Sequence, residues 1–78
     1  MEIATYDKGS KKVIFPIRAN GKKHYGLIGL ECLTDYFDCK QESDALQVFR
    51  KYRGTIEAIA IELAEEGEEI PQVTSVHF

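Results

Sequence analysis

Residues 13–28, VIFPIRANGKKHYGLI, decide the fold of this chain. Two apolar runs flank the dipeptide Asn20-Gly21, which is the strongest short-range signal for a β-hairpin. A two-residue type I′ turn needs positive φ at both central positions, and Asn and Gly adopt that conformation most readily. We therefore predict two antiparallel strands that meet at Asn20-Gly21.

A two-residue turn also sets the register of the hairpin. The predicted cross-strand partners are Ala19 with Lys22, Ile17 with His24, Phe15 with Gly26, and Val13 with Ile28. Because side chains alternate along a strand, one face carries the set that we assign to the core: Val13, Phe15, Ile17, His24, Gly26 and Ile28. The other face is polar near the turn and apolar away from it: Ile14, Pro16, Arg18, Lys23, Tyr25 and Leu27. Gly26 leaves room for the ring of Phe15 to lie across the partner strand.

Pro16 limits what can pair with the first strand. In this register Pro16 and Tyr25 form a non-hydrogen-bonded pair, so the missing N–H points away from the second strand. A proline also discourages a further strand from pairing beside it. We therefore expect the first strand to be an edge, or to be bulged, at Pro16.

Two helices are predicted after the hairpin. Residues 29–37 carry apolar side chains at helical spacing, and Gly29 is an acceptable N-cap. Residues 43–66 carry a longer apolar stripe, which starts after the N-cap candidate Ser43 and stops before Gly67, a natural C′ residue.

Short strands are predicted at both ends. Ile3 and Tyr6 are compatible with a short edge strand before the hairpin. After Pro71, the β-branched residues of 72–78 predict a final strand. The 78 residues are enough for one domain, residues 1–78. The predicted fold is an α+β two-layer ββααβ sandwich, in which a short and a long helix cover one face of a small antiparallel sheet. The strand order stays open.

The order of these motifs resembles a small bacterial family known as domain of unknown function 1488. The resemblance rests on Tyr6-Asp7, Val13-x-Phe15-Pro16, Asn20-Gly21 and the pattern Ile28-Gly29-x-Glu31-x-Leu33-x-Asp35-x-Phe37, followed by the long helix and the short final strand. It covers nearly the whole chain, and the Phe-Pro pair ahead of the Asn-Gly turn is its most specific part. It implies no activity and no catalytic residues.

Composition indicates a soluble globular protein, with 44% hydrophobic and 29% charged residues. No apolar run approaches the roughly 20 residues that span a bilayer, and the first seven residues lack the features of a signal peptide. The two cysteines do not form a disulfide framework. We therefore expect a cytoplasmic protein with reduced thiols and no membrane partner.

Four side chains are candidates for chemistry: Cys32, Cys39, His24 and His77. Together they have the ligand types of a zinc site, but a close Cys-x-x-Cys pair is missing. Cys32 lies beside the apolar stripe of the short helix, where it is expected to be a small buried hydrophobe. His24 falls on the core face as a partly buried, hydrogen-bonded histidine, and His77 lies near the chain end, where exposure is possible. We expect no catalytic, cofactor-binding or metal-binding residues.

Charge is segregated along the chain, although the net charge is only −3. Six of the ten basic residues lie in or near the hairpin: Lys8, Lys11, Lys12, Arg18, Lys22 and Lys23. If they converge with Arg50, Lys51 and Arg53 of the long helix, they permit phosphate contacts, which makes nucleic-acid binding an alternative function. Lysines that keep the hairpin edge soluble explain the same pattern. The acidic residues near the end of the long helix are expected to form a solvated surface: Glu62, Glu65, Glu66, Glu68 and Glu69. Arg53 is expected to pair with Glu57.

The mixed face of the hairpin is the candidate partner surface. It consists of Ile14, Arg18, Lys23, Tyr25 and Leu27, and Val48 and Ile61 also lie off the main helix stripe. Exposed apolar groups of this kind mark contact surfaces, and small domains commonly bury them in twofold homodimers. The favoured hypothesis is therefore a non-enzymatic interaction or regulatory module, acting as a homodimer or with another protein. The alternatives are a nucleic-acid-associated accessory protein and a small metal-binding protein or enzyme.

Overall fold

The predicted hairpin forms the centre of the fold in a computed structural model, which describes residues 3–78. Strands β2 (Lys12–Ala19) and β3 (Lys22–Gly29) pair antiparallel, with all four predicted partnerships in place. The turn residues Asn20 and Gly21 have φ of 55° and 75°, as a type I′ turn requires. The register derived from the turn is confirmed.

The sheet has four strands in the order β1-β2-β3-β4. β1 (Thr5–Asp7) pairs antiparallel with β2, and β4 (Gln72–Val73) pairs parallel with β3. The α+β class is confirmed, but the expectation of a wholly antiparallel sheet is wrong, because the sheet is mixed. The helical connection across residues 30–71 returns the chain in the direction of β3, which is the crossover that a parallel pair needs.

Pro16 limits the first strand as predicted. β1 pairs with β2 only from Lys12 to Ile14, two residues short of Pro16. Among residues 3–78, no strand pairs with that side of β2 beyond Ile14, so β2 is central at its start and an edge at Pro16. The short strand predicted around Ile3 and Tyr6 exists as β1, while the first two residues of that lead-in lie outside the described residues.

The short helix is α1 (Leu30–Phe37), with Gly29 at its N-cap position. The predicted single long helix is instead a 3-10 turn (Glu42–Asp44) followed by α2 (Ala45–Lys51) and α3 (Arg53–Glu65). Ser43 is inside the 3-10 turn and does not cap the helix. α2 and α3 are separated at Tyr52, whose φ of −110° and ψ of 21° are not helical, although its N–H donates to Val48 O and its carbonyl oxygen accepts from Ile56 N–H.

Gly67 ends α3 as predicted. Its φ is 113°, and the N–H groups of Gly67 and Glu68 donate to the carbonyl oxygens of Ala64 and Leu63, respectively, at 3.1 and 3.2 Å. These two bonds define a Schellman motif, which satisfies the last carbonyl groups of the helix. No helix within residues 3–78 has the length and hydropathy that crossing a bilayer requires.

The core lies between the sheet and the helices. The buried face of β2 supplies Val13, Phe15 and Ile17, as the register predicts. The ring of Phe15 lies 4.9 Å from the ring of Phe49 on α2, and Gly26 of β3 lies directly beside the Phe15 ring. The sheet is thereby joined to α2 through one aromatic pair, for which Gly26 provides the space.

The end of the chain differs from the prediction. β4 contains only two residues, and a 3-10 turn (Ser75–His77) follows instead of a continued strand. The ring of Phe78 packs against Tyr36 and Phe37 of α1, with centroid distances of 4.9 and 5.2 Å. This aromatic contact draws the segment away from the sheet and towards the helices.

A side-chain hydrogen bond joins β1 to the start of the helical region. The hydroxyl of Tyr6 donates to Glu42 Oε2 at 2.7 Å. Desolvation first, and then the hydrogen bond and negative charge of Glu42, raise the pKa of Tyr6 to about 12. Protonated Tyr6 therefore stabilises the folded state below the ordinary tyrosine pKa of about 10. This stabilisation is lost as the pH rises through the pKa of Tyr6 in the folded protein.

Replacing Glu42 with Gln tests this link. The amide still accepts the hydrogen bond but carries no charge, so the pKa of Tyr6 is expected to fall towards its ordinary value while the fold persists. The pKa of Tyr6 is measured by following tyrosinate absorbance as the pH is raised. The Tyr6→Phe variant identifies which transition belongs to Tyr6. An unchanged late transition in the Glu42→Gln variant would contradict the role given to Glu42.

Gly26→Ala is expected to reduce the free energy of unfolding by about 1–3 kcal/mol, because overpacking forces the core to shift. A Cβ at this position would lie 2.5 Å from Phe15 Cε2 and 3.2 Å from Ala60 Cβ. Urea denaturation followed by circular dichroism measures the loss. Gly54→Ala is the matched control: no atom lies within 4 Å of its added Cβ, so the helix propensity of Ala is expected to raise stability. Equal stability of Gly26→Ala and wild type would show that the Phe15 ring moves aside freely.

Candidate interaction surface

The sheet has one face packed on the helices and one open face. All three helices contribute side chains to the buried core on the first face. On the second face, Arg18, Lys23 and Tyr25 are exposed, and Ile14 and Leu27 are half-buried. The alternation derived from the hairpin register therefore separates the two faces correctly.

The five residues of the candidate partner surface lie together. Ile14 is the cross-strand partner of Leu27, and Arg18 is the partner of Lys23. Tyr25 lies between these two pairs, opposite Pro16, and Lys23 Nζ is 5.1 Å from the centre of its ring. The surface is thus an apolar centre with two basic residues at the hairpin end.

Neighbouring strands reduce the exposure of the two aliphatic residues. Thr5 of β1 is the partner of Ile14, and Gln72 of β4 is the partner of Leu27. Tyr25 lies beyond the two residues of β3 that pair with β4, and it is 46% exposed. The most accessible apolar group in the centre of this face is therefore aromatic.

Two further exposed apolar residues lie beside the short outer strands, and their exposure was not found from the sequence. Ile3 is 62% exposed and precedes Thr5 by two residues, so strand alternation assigns it to the side of Ile14. Ile70 is 63% exposed and lies in the bend that precedes β4. The sequence signal for both residues was weak, because their exposure depends on how β1 and β4 join the hairpin.

The two residues that lie off the main apolar stripe of the helices, Val48 and Ile61, do not belong to this surface. Val48 and Ile61 are partly buried and pack against the core. The expectation that they remain as spare apolar groups is wrong, because both are covered by their packing against the buried core.

The basic residues near the hairpin form two separate groups. Lys11 and Lys12 lie at the start of β2, and Arg18 and Lys22 lie at the turn. Six residues of extended chain separate Lys12 from Arg18, which corresponds to roughly 20 Å. The basic residues cluster along the sequence, but in the structure they are too far apart to form one continuous phosphate-binding patch.

The predicted helical ion pair is present. Arg53 Nε lies 2.6 Å from Glu57 Oε2, and Arg53 also lies over the Phe49 ring at 5.6 Å. The acidic residues that follow are all exposed: Glu62, Glu65, Glu66, Glu68 and Glu69.

Both histidines are half-buried and bonded to the backbone. His24 Nδ1 is 3.1 Å from the carbonyl oxygen of Glu69, so this ring nitrogen donates. His77 Nδ1 is 3.0 Å from the backbone nitrogen of Thr74, so this ring nitrogen accepts. The satisfied, partly buried state expected for His24 is confirmed, and His77 is less exposed than its position in the sequence suggests.

Both cysteines are free and buried. Burial raises the pKa of the Cys32 thiol, and Asp35 adds to the effect. Burial also raises the pKa of the Cys39 thiol, which donates a hydrogen bond to the carbonyl oxygen of Gln41. Within residues 3–78, no group of three or more His, Cys, Asp and Glu side chains is arranged to hold a metal ion.

A cleft of about 670 Å³ lies at the far end of the sheet from the hairpin turn. Its walls are the start of β2, the first turns of α1, and residues 72–75. Its charged lining consists of Lys11, Lys12, Glu31 and Asp35, so neither sign is in excess.

Residues 3–78 define an α+β fold with a four-stranded mixed sheet and three α-helices. It is similar to a crystal structure of a protein of unknown function from the DUF1488 family of Shewanella loihica PV-4, with a TM-score of 0.76 and 24% sequence identity over 94% of this chain and 87% of that chain. The family model "Protein of unknown function (DUF1488)" matches residues 2–75, so this chain belongs to the DUF1488 family. A search of curated proteins finds no match.

The family assignment confirms the resemblance carried by the hairpin and the residues after it. The similar crystal structure shows a shared fold. Neither comparison names an activity or a ligand, so function has to be argued from the surface of this chain.

Slow thiol modification is expected in the folded protein, because only the thiolate reacts and the pKa of each thiol is raised. At about pH 8, a chromogenic disulfide reagent should react with both thiols at least about tenfold more slowly than in the urea-unfolded chain. The unfolded chain is the control for full reactivity. Rapid reaction of one thiol in the native protein would identify an accessible, activated cysteine.

Proposed function

We propose that this protein is a non-enzymatic interaction or regulatory module that works as a homodimer through the open face of its sheet. The observation that carries the proposal is the apolar centre of that face, where Ile14, Leu27 and the exposed Tyr25 lie together. Apolar groups that converge on one face mark contact surfaces, whereas scattered ones do not.

The size of the face supports a modest interface. Two strands of eight residues, one of three and one of two, about 4.8 Å apart and rising about 3.3 Å per residue, give a sheet face of roughly 330 Å². A stable protein–protein interface buries about 800 Å² on each partner. The contact therefore has to include the flanks around Ile3 and Ile70, and we expect a dimer that dissociates on dilution.

The charges favour one arrangement of the two copies. Arg18 and Lys23 occupy the hairpin end of the face, and Asp7 and Lys12 form the pair nearest its other end. A twofold axis that lies in the interface, parallel to the sheet face and perpendicular to its strands, stacks the hairpin end of each copy over the opposite end of the other. The two basic ends are then kept apart, and each approaches the Asp7–Lys12 pair of the other copy.

The chemistry of the other candidate residues supports a non-enzymatic role. Both histidines are committed to backbone hydrogen bonds, and both thiols are buried with raised pKa values. Free, unpaired thiols are typical of proteins in reducing compartments, which supports a cytoplasmic location.

Light scattering after size-exclusion chromatography tests the dimer. At high concentration the expected mass is twice the 8.9 kDa of the chain, and it falls towards the monomer on dilution. Leu27→Lys and Ile14→Lys are each expected to shift dissociation to at least about tenfold higher concentration, because a lysine is buried in the contact. Circular dichroism confirms that each variant folds.

Val76→Lys is the matched control, because Val76 is 82% exposed and lies in the 3-10 turn after β4, away from the sheet face. It is expected to dimerise like wild type. A wild-type protein that stays monomeric at millimolar concentration would refute the dimer. Binding of labelled oligonucleotides that weakens steeply with salt would instead support the nucleic-acid alternative.

A further inference from the structure

The hairpin turn carries the one asparagine of the chain, Asn20, followed directly by Gly21. Both residues are exposed, and within residues 3–78 neither the Asn20 amide nor the Gly21 N–H has a hydrogen-bond partner. A Cβ added at Gly21 would have no atom within 4 Å, apart from those of the adjacent residues. The side-chain carbonyl carbon of Asn20 is therefore an electrophile beside an unhindered backbone nitrogen.

We propose that Asn20 is a site of self-modification, at which its amide is converted to an isoaspartyl linkage without an enzyme. The Gly21 nitrogen bonds to Asn20 Cγ, and water carries its proton to Nδ2, so the Cγ–Nδ2 bond breaks and ammonia leaves. The product is a five-membered succinimide ring. Water then adds to a ring carbonyl and breaks its bond to the Gly21 nitrogen. Addition at Cγ gives aspartate, and addition at the more electrophilic main-chain carbonyl carbon gives isoaspartate.

The turn supplies the geometry for ring closure by rotation of one peptide unit. In a type I′ turn, the first central residue has ψ of about 30°, which puts the next nitrogen on the far side of the Cα–C bond from Cβ. In a type II′ turn, the other common two-residue hairpin turn, φ stays near about 60° but ψ is about −120°, which brings that nitrogen alongside Cβ. Asn20 already has φ of 55°, and glycine adopts either sign of φ, so the rotation leaves both strands paired.

The rotation makes the reaction a property of the folded protein. A residue with a Cβ is strained at the first position of a type II′ turn, so the rotated turn is expected to be about 5–150-fold less populated than the type I′ turn. Global unfolding is rarer still, since at most about one molecule in a thousand is unfolded. Ring closure is therefore expected through the rotated turn rather than through unfolding.

The two products affect the hairpin differently. Asp-Gly is itself a favoured type I′ sequence, so aspartate leaves the turn intact. Isoaspartate inserts a methylene into the main chain, so a two-residue turn no longer closes the pair of Ala19 and Lys22 in the same register. Both products place a carboxylate two residues from Arg18 and from Lys22, so the hairpin end loses positive charge.

Incubation of the folded protein in mildly alkaline buffer, prepared with water labelled with heavy oxygen, tests the site. Ion exchange should separate a form with an additional negative charge, and mass spectrometry of its fragments should find the labelled oxygen at residue 20. Fragmentation by electron transfer should identify isoaspartate as the larger product. Below the unfolding transition, the rate should change less than about twofold with urea, because the route exposes little new surface.

Asn20→Gly and Asn20→Asp are matched controls, because Gly-Gly and Asp-Gly both form type I′ turns. Asn20→Gly has no amide and should form no acidic species. Asn20→Asp has the added charge without the methylene, so it should keep the nuclear Overhauser contact between the Ala19 and Lys22 amide protons, which the purified isoaspartyl form should lose.

Three results would each overturn the proposal. The first is an Asn20 that stays intact in the folded protein while the urea-unfolded chain is converted. The second is a rate that rises with urea in proportion to the unfolded population, because the reaction then belongs to the unfolded chain. The third is an isoaspartyl form that keeps the contact between Ala19 and Lys22.

Discussion

The contact between Phe15 and Gly26 is the constraint on which the rest of the structure depends. The turn at Asn20-Gly21 places these residues opposite each other, and the missing side chain of Gly26 lets the Phe15 ring lie over β3. The ring then reaches Phe49 on α2, while Ala60 of α3 approaches Gly26. One aromatic ring thereby fixes the distance between the sheet and the helical layer.

The open face follows from this arrangement. Because the hairpin register commits Val13, Phe15 and Ile17 to the helices, their neighbours Ile14, Pro16 and Arg18 have to face outward. Their partners on β3 face outward with them. A two-layer domain has no second helical layer for that face, so its apolar centre remains available to another molecule.

The features that were predictable from the sequence are local ones. The Asn-Gly turn determines the register within a few residues, and Gly67 ends α3 because its left-handed conformation is easiest for glycine. The break between α2 and α3 at Tyr52 and the short β4 lie beside contacts between distant residues, such as Phe37 with Tyr52 and Phe78 with Tyr36. The exposure of Ile3 and Ile70 was not predicted, since nothing local indicates how the outer strands beside them join the hairpin.

The parallel pairing of β4 has a kinetic consequence. Hairpins close in microseconds, and the pairing of β2 with β3 involves only neighbouring stretches of chain. By contrast, the contact of Ile28 with Val73 joins residues 45 positions apart, and the helices between them have to be in place first. Contacts between distant residues are the slow part of folding, so closure of the two-residue β4 should complete the native state. Pairing of β4, the shortest strand of the sheet, therefore indicates that the hairpin and the helices have already folded.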